Sequence, residues 1–138
     1  MSKFWTVVTI IFVTAIMLLA LNVDQTPSIS FSDLETECRY DKSGNMDIGL
    51  EGRQITFSGR FNTPNPNTNL DYSYRVTESN EIRLNIITTN SMVPDSFYDN
   101  CLASVVYEAK TASLEPGDYS VTVSHNGNVR KKAGIRIK

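Results

Sequence analysis

From Ile55 onward the chain alternates apolar and polar residues with a period of two. Ile55, Phe57 and Phe61 alternate with Thr56, Ser58 and Arg60, and Gly59 takes the inward slot where a neighbour can come close. Leu70, Tyr72, Tyr74 and Val76 alternate with Asp71, Ser73, Arg75 and Thr77; after a turn at 78–80, Ile82, Leu84 and Ile86 alternate with Arg83 and Asn85. This periodicity predicts half-buried strands with one wet face each. Cys101, Ala103, Val105, Tyr107 and Ala109 share one face of the next segment. Leu102 and Val106 on the other predict a central strand covered on both sides near its start. Tyr119, Val121 and Val123 lead into Asn126-Gly127, a pair suited to the positive φ angles of a tight hairpin turn. Val129, Ala133, Ile135 and Ile137 then alternate with Arg130, Lys132, Gly134 and Arg136. With two shorter candidates, Ile29 to Leu34 and Met46 to Glu51, seven or eight short strands predict an all-β, antiparallel sandwich.

The turn Leu114-Glu115-Pro116-Gly117-Asp118-Tyr119 refines that class. A Pro116-Gly117 turn ahead of an alternating strand puts Tyr119 where a tyrosine corner bonds back to the turn, a device of immunoglobulin-like and fibronectin-like sandwiches. The plainer alternative is a β-turn followed by an exposed aromatic.

Ahead of this domain, Phe4 to Val23 runs without a charge. Twenty helical residues span about 30 Å, the thickness of a bilayer core. Lys3 precedes the run while Asp24, Asp33, Glu35 and Glu37 follow it, so the positive-inside rule leaves the N-terminus in the cytoplasm. The chain then divides into an N-terminal transmembrane anchor (1–23), a tether (24–28) and a sandwich domain (29–138), single-pass in the cell membrane with its folded part outside. A cleaved signal peptide is the alternative; the long apolar run and the Ala20-Leu21-Asn22 sequence fit it less well.

Composition narrows the chemistry. At 41% hydrophobic and 20% charged, the chain has the make-up of a globular domain. All fifteen acids lie beyond the apolar run and twelve of the thirteen cations do, so the exported part is acidic, against a dedicated nucleic-acid binder. One His, two Cys and no Gly-rich phosphate loop leave catalytic constellations, cofactor sites and metal sites without their parts, and neither an enzyme nor a cofactor is expected. In an exported domain Cys38 and Cys101 read first as a disulfide, whose closed loop contributes about 4 kcal/mol by chain entropy; two free thiols are the alternative. His125 reads as an exposed turn residue without a Ser or Cys partner. Asp95, Asp99 and Asn100 match no established calcium loop, and Met92, Phe97 and Tyr98 read as a lid over the core or a contact patch. Arg130, Lys131, Lys132, Arg136 and Lys138 make the last strand basic, whereas Asp24, Asp33, Glu35, Glu37, Asp41, Asp47 and Glu51 make the first part acidic. If first and last strands are neighbours, those charges face each other across a ladder; the alternative is a basic stripe for an anionic polymer.

The order Ile55-Thr-Phe-Ser-Gly, Thr63-Pro-Asn-Pro, Cys101 before Val105-Val106-Tyr107, and Leu114 through Gly127 resembles small exported sandwich proteins of bacteria and archaea, which carry no assigned activity. Asn65-Pro66-Asn67-Thr68-Asn69 is similar to the Asn-Pro-Thr-Thr-Gly loop of chagasin-type cysteine peptidase inhibitors. The other two loops of that family are not matched, since no Gly-x-Gly-Gly occurs in 91–100 and His125-Asn126-Gly127 stands in place of Arg-Pro-Trp. The expected function is therefore non-catalytic: a membrane-anchored module that binds an envelope protein or surface polymer. The contact residues would be Asn65, Pro66, Asn67, Thr68, Phe97, Tyr98, His125 and Asn126. A chagasin-like inhibitor and a structural, stator-like envelope subunit are the alternatives.

Overall fold

The computed structural model describes residues 27–39, 44–63, 68–90 and 101–138. The expected anchor and most of the tether lie outside these residues, as do Asn65, Pro66, Asn67, Met92, Asp95, Phe97, Tyr98, Asp99 and Asn100.

Eight strands form two four-stranded sheets. They are β1 (Ile29–Glu37), β2 (Met46–Glu51), β3 (Gln54–Thr63), β4 (Thr68–Val76), β5 (Glu81–Asn90), β6 (Ala103–Thr111), β7 (Gly117–His125) and β8 (Asn128–Ile137). The first sheet has the order β1-β6-β3-β2 and the second β4-β5-β7-β8. Inward positions of both meet in one core that includes Ile55, Phe57, Ile82, Leu84, Val105, Tyr107, Val121 and Val123, the alternating residues of the sequence pattern.

The pairing departs from the all-antiparallel expectation at one place, where β5 runs parallel to β7. The strand between them, β6, belongs to the other sheet and reaches β7 through the short segment 112–116. Two changes of sheet thus bring the chain back in its original direction. The first and last strands are not neighbours either, as β1 pairs with β6 and β8 with β7. β1 instead lies over β4 and β2 over β8, where a few side-chain contacts bridge the open edges. Phe31 packs on Tyr72 with ring centroids 4.5 Å apart, and Lys131 Nζ donates to Met46 O at 3.0 Å and Asp47 Oδ1 at 3.1 Å.

Lys131 reaches that position through a β-bulge. Val123 pairs with Lys131 but Ser124 with Val129, so Arg130 is skipped and the alternation of β8 changes phase. Val129, expected inside with Ala133, is 55% exposed. A charged side chain pointing inward at a sheet edge also discourages edge-to-edge pairing. β6 is central, as expected, and its outer face is covered only in part near its start: Ser104 is buried and Val106 half-buried, while Leu102, just ahead of the strand, is 63% exposed.

The inward slot at Gly59 belongs to its cross-strand partner Tyr107, whose ring occupies the space a Cβ would need. Cys38 and Cys101 form a disulfide with Cα atoms 5.5 Å apart. They extend the β1–β6 ladder beyond its terminal pair, Glu37 with Ser104. At the other end, the Tyr119 hydroxyl donates to Glu115 O at 3.0 Å. Leu114 is buried, and its carbonyl accepts from Arg53 Nε at 2.8 Å. The turn is thus tied to the β2–β3 hairpin of the opposite sheet.

Two outcomes follow. Gly59→Val forces Tyr107 aside and lowers the free energy of urea unfolding by about 1–3 kcal/mol, whereas Gly134→Val, at an exposed position with no atom near the added Cβ, leaves it nearly unchanged. Thiol blocking of never-reduced protein labels neither cysteine, and reduction lowers stability by about 4 kcal/mol.

Candidate functional site

Strand directions sort the connections into two ends. Thr63, Thr68, Asn90, Ala103, His125 and Asn128 terminate their strands at one end, together with the disulfide. Ile29 pairs with Thr111 and Ile137 with Gly117 at the other, so the domain begins and finishes opposite the loops.

At the loop end an open groove of about 480 Å³ lies between β2–β3 and the β7–β8 hairpin, lined by Met46, Arg60, Phe61, Asn62, His125, Asn128 and Arg130 among others. β3 supplies Arg60 and Phe61 on opposite faces by simple alternation. Phe61 stacks on the His125 ring at 4.1 Å, with 22° between the planes. Tyr107, from beneath, approaches His125 edge-on, with its hydroxyl 2.9 Å from Nε2. His125 is therefore not an exposed turn residue but is 4% exposed. The reason is alternation: it occupies the last inward position of β7, one residue before the turn.

Burial and, secondarily, the Arg130 charge depress the His125 pKa from 6.5 to about 4. The ring is neutral at neutral pH and bonded to a phenol whose own ionisation burial pushes up. Among the described residues, the groove lining offers no Ser, Cys or carboxylate beside the ring, whose observed contacts are the Phe61 stack and the Tyr107 hydroxyl. Among the described residues, no group of three His, Cys, Asp or Glu side chains is arranged to hold a metal ion.

The hairpin turn is as the sequence indicates, with φ of 50° at Asn126 and 79° at Gly127. The Asn126 side chain is engaged by its own fold, since its Oδ1 accepts from Thr88 N at 2.8 Å and its Nδ2 donates to Thr88 Oγ1 at 2.9 Å. Gly127 N donates to Asn85 Oδ1 at 3.0 Å. β5 thus clamps the tip of the neighbouring hairpin. Thr68 Oγ1 lies 2.9 Å from Thr63 Oγ1, bridging the two strands that flank 64–67. Arg60 pairs with Glu37 at 3.1 Å, and Ser104 Oγ donates to Asn62 Oδ1 at 3.1 Å and to the Arg39 carbonyl.

Of the sequence candidates, Thr68, His125 and Asn126 come together at this end, but all three have internal partners. The groove's polar rim is Asn126 together with Arg60, Asn62, Asn128 and Arg130, of which Arg60 and Asn62 are themselves held by Glu37 and Ser104. Arg130 carried one usable signal, a cation just after an Asn-Gly turn. Guanidinium groups and amides around an aromatic floor suit recognition of a carboxylate or a peptide backbone. Comparison with protein-family models, with curated proteins and with solved structures finds no match.

His125 makes stability pH-dependent in a defined window. Its folded pKa lies below the unfolded value, so the unfolded chain binds the extra proton as pH falls from about 6.5 to about 4, and stability falls with it. The loss reaches about 3 kcal/mol. Asp47, Glu51, Glu81 and Asp118, each held below its usual range by a cation, add their losses only below about pH 4.5. Urea unfolding at pH 7, 6 and 5 reads the histidine contribution, and His125→Gln flattens it.

Proposed function

We propose that the protein is an immunoglobulin-like module held outside the cell membrane by residues 4–23, and that it binds another envelope protein with the loop end of the sandwich. The observation that carries this reading is the separation of the two ends. The chain enters β1 beside Thr111 and leaves β8 beside Gly117, whereas the groove and the strand ends flanking 64–67 and 91–100 lie opposite. A helix preceding Ile29 would hold the groove away from the bilayer, facing a partner. The disulfide supports an oxidising compartment. The two four-stranded sheets with a shared core support an immunoglobulin-like plan, from which the parallel β5–β7 pair departs.

The test has two stages. Carbonate extraction leaves the full-length protein in the membrane, and protease added outside intact cells or spheroplasts removes a C-terminal tag. A photo-crosslinker at Asn128 then yields a discrete protein adduct, while one at Gly52 or Ser79, at the membrane-proximal end, yields none. Adducts from Gly52 alone would reverse the orientation. Loss of papain-like peptidase activity on adding the protein would support the inhibitor alternative instead.

A further inference from the structure

The outer face of the second sheet carries an arrangement that neither folding nor the loop end requires. Register places Arg75 opposite Arg83, Arg83 opposite Thr122 and Thr122 opposite Lys132, so one row across all four strands holds three cations and no carboxylate. Like charges directly opposite each other destabilise a sheet, and a wet face imposes no packing demand that would explain them. Glu81, in the adjacent row, binds Arg83 at 2.9 and 3.0 Å, lines the same trough and is also attracted by Lys132, so one carboxylate stands beside the three cations. No carboxylate among the described residues forms an ion pair with Arg75 or Lys132. The neighbours along the row are short, and Ser73, Asn85 and Ser124 floor a trough of about 660 Å³ between the long cationic side chains.

We propose that this trough binds a linear anionic glycan, laid across the strands with its acidic groups on Arg75, Arg83 and Lys132 and its hydroxyls on Ser73, Asn85 and Ser124. Four strands at about 4.8 Å spacing make the cationic row about 14 Å long, the reach of several sugar units and not of a single ion. Among the described residues, the aromatic that lines the trough, Tyr74, packs into the core and no ring faces outward to stack a base, which disfavours single-stranded nucleic acid. The opposite face of the sandwich presents Glu35, Asp47, Glu51 and Glu108, which confines a polyanion to the second sheet. This site is separate from the loop-end groove and does not depend on the reading given for it.

The test uses full-length protein in detergent micelles with dextran sulfate, polygalacturonate, neutral dextran and an oligothymidylate as probes, read by affinity electrophoresis and thermophoresis. Binding to polygalacturonate or dextran sulfate, weakened by salt and absent with neutral dextran, is expected; which of the two binds tighter separates a carboxylate-bearing from a sulfate-like or phosphate-like polymer. Arg75→Ser with Lys132→Ser lowers the affinity about tenfold, whereas Arg39→Ser with Lys110→Ser, the same charge removed from elsewhere, leaves it unchanged. Arg75→Gln with Lys132→Gln keeps most of the side-chain length and weakens binding equally, and an unchanged thermal midpoint shows that the fold is intact. Equal losses from both pairs, no binding by either acidic glycan, or tighter binding of the oligothymidylate would overturn the proposal.

Discussion

The Tyr107 hydroxyl is buried between the two sheets and meets His125 from the opposite one. A phenol in that position is costly without a partner, and much of the architecture serves to supply one. Gly59 gives up its side chain so that the Tyr107 ring fits. β7 must end with His125 facing inward, and Phe61 covers the imidazole from the loop side. Through this contact the central strands of both sheets fix each other's height, and the turn that follows His125 is placed at the rim of the groove. Tyr74 shows the contrast: its buried hydroxyl has no hydrogen-bond partner among the described residues, and burial with the neighbouring Tyr119 pushes its pKa up to about 12.

The two ends of the sandwich are finished by different means. Away from the loops, backbone groups of the 112–117 turn are taken up by Tyr119 and Arg53, joining turns from both sheets. At the loop end, the disulfide and side chains on strand ends do this work: Thr63 with Thr68, Ser104 with Asn62, and Asn126 with Thr88. Side-chain bonds at strand termini fix where the chain leaves each of these strands.

Charge is divided by sheet as well as by end. Most acids of β1 and β2 lie in the first sheet, and the cations of β4, β5 and β8 in the second. A bridge between these groups at an edge, Lys131 with Asp47, joins the two sheets. The outer-face pairs, Arg136 with Asp118 and Lys110 with Glu51, stay within a sheet and are solvent-exposed; water screens such pairs and they add little to stability. The fold therefore does not depend on them, and the cationic row of the second sheet is available for another purpose.

Alternation in the sequence was enough to place the strands and their inward faces, because a period of two directly states which side chains meet a core. Asn126-Gly127, the Tyr119 corner and the Cys38–Cys101 pair were also legible, each being a local geometry or a redox property tied to residue type. Tertiary structure alone decided what those faces meet. The parallel β5–β7 pair arises from two changes of sheet, the inward Lys131 from a one-residue bulge, and the cationic row from side chains on three strands separated in the chain but aligned by register. His125 lay between the two cases. Its inward phase could be read by counting from Val123, but its burial required Phe61 and Tyr107, which the chain brings to it from 64 and 18 residues away.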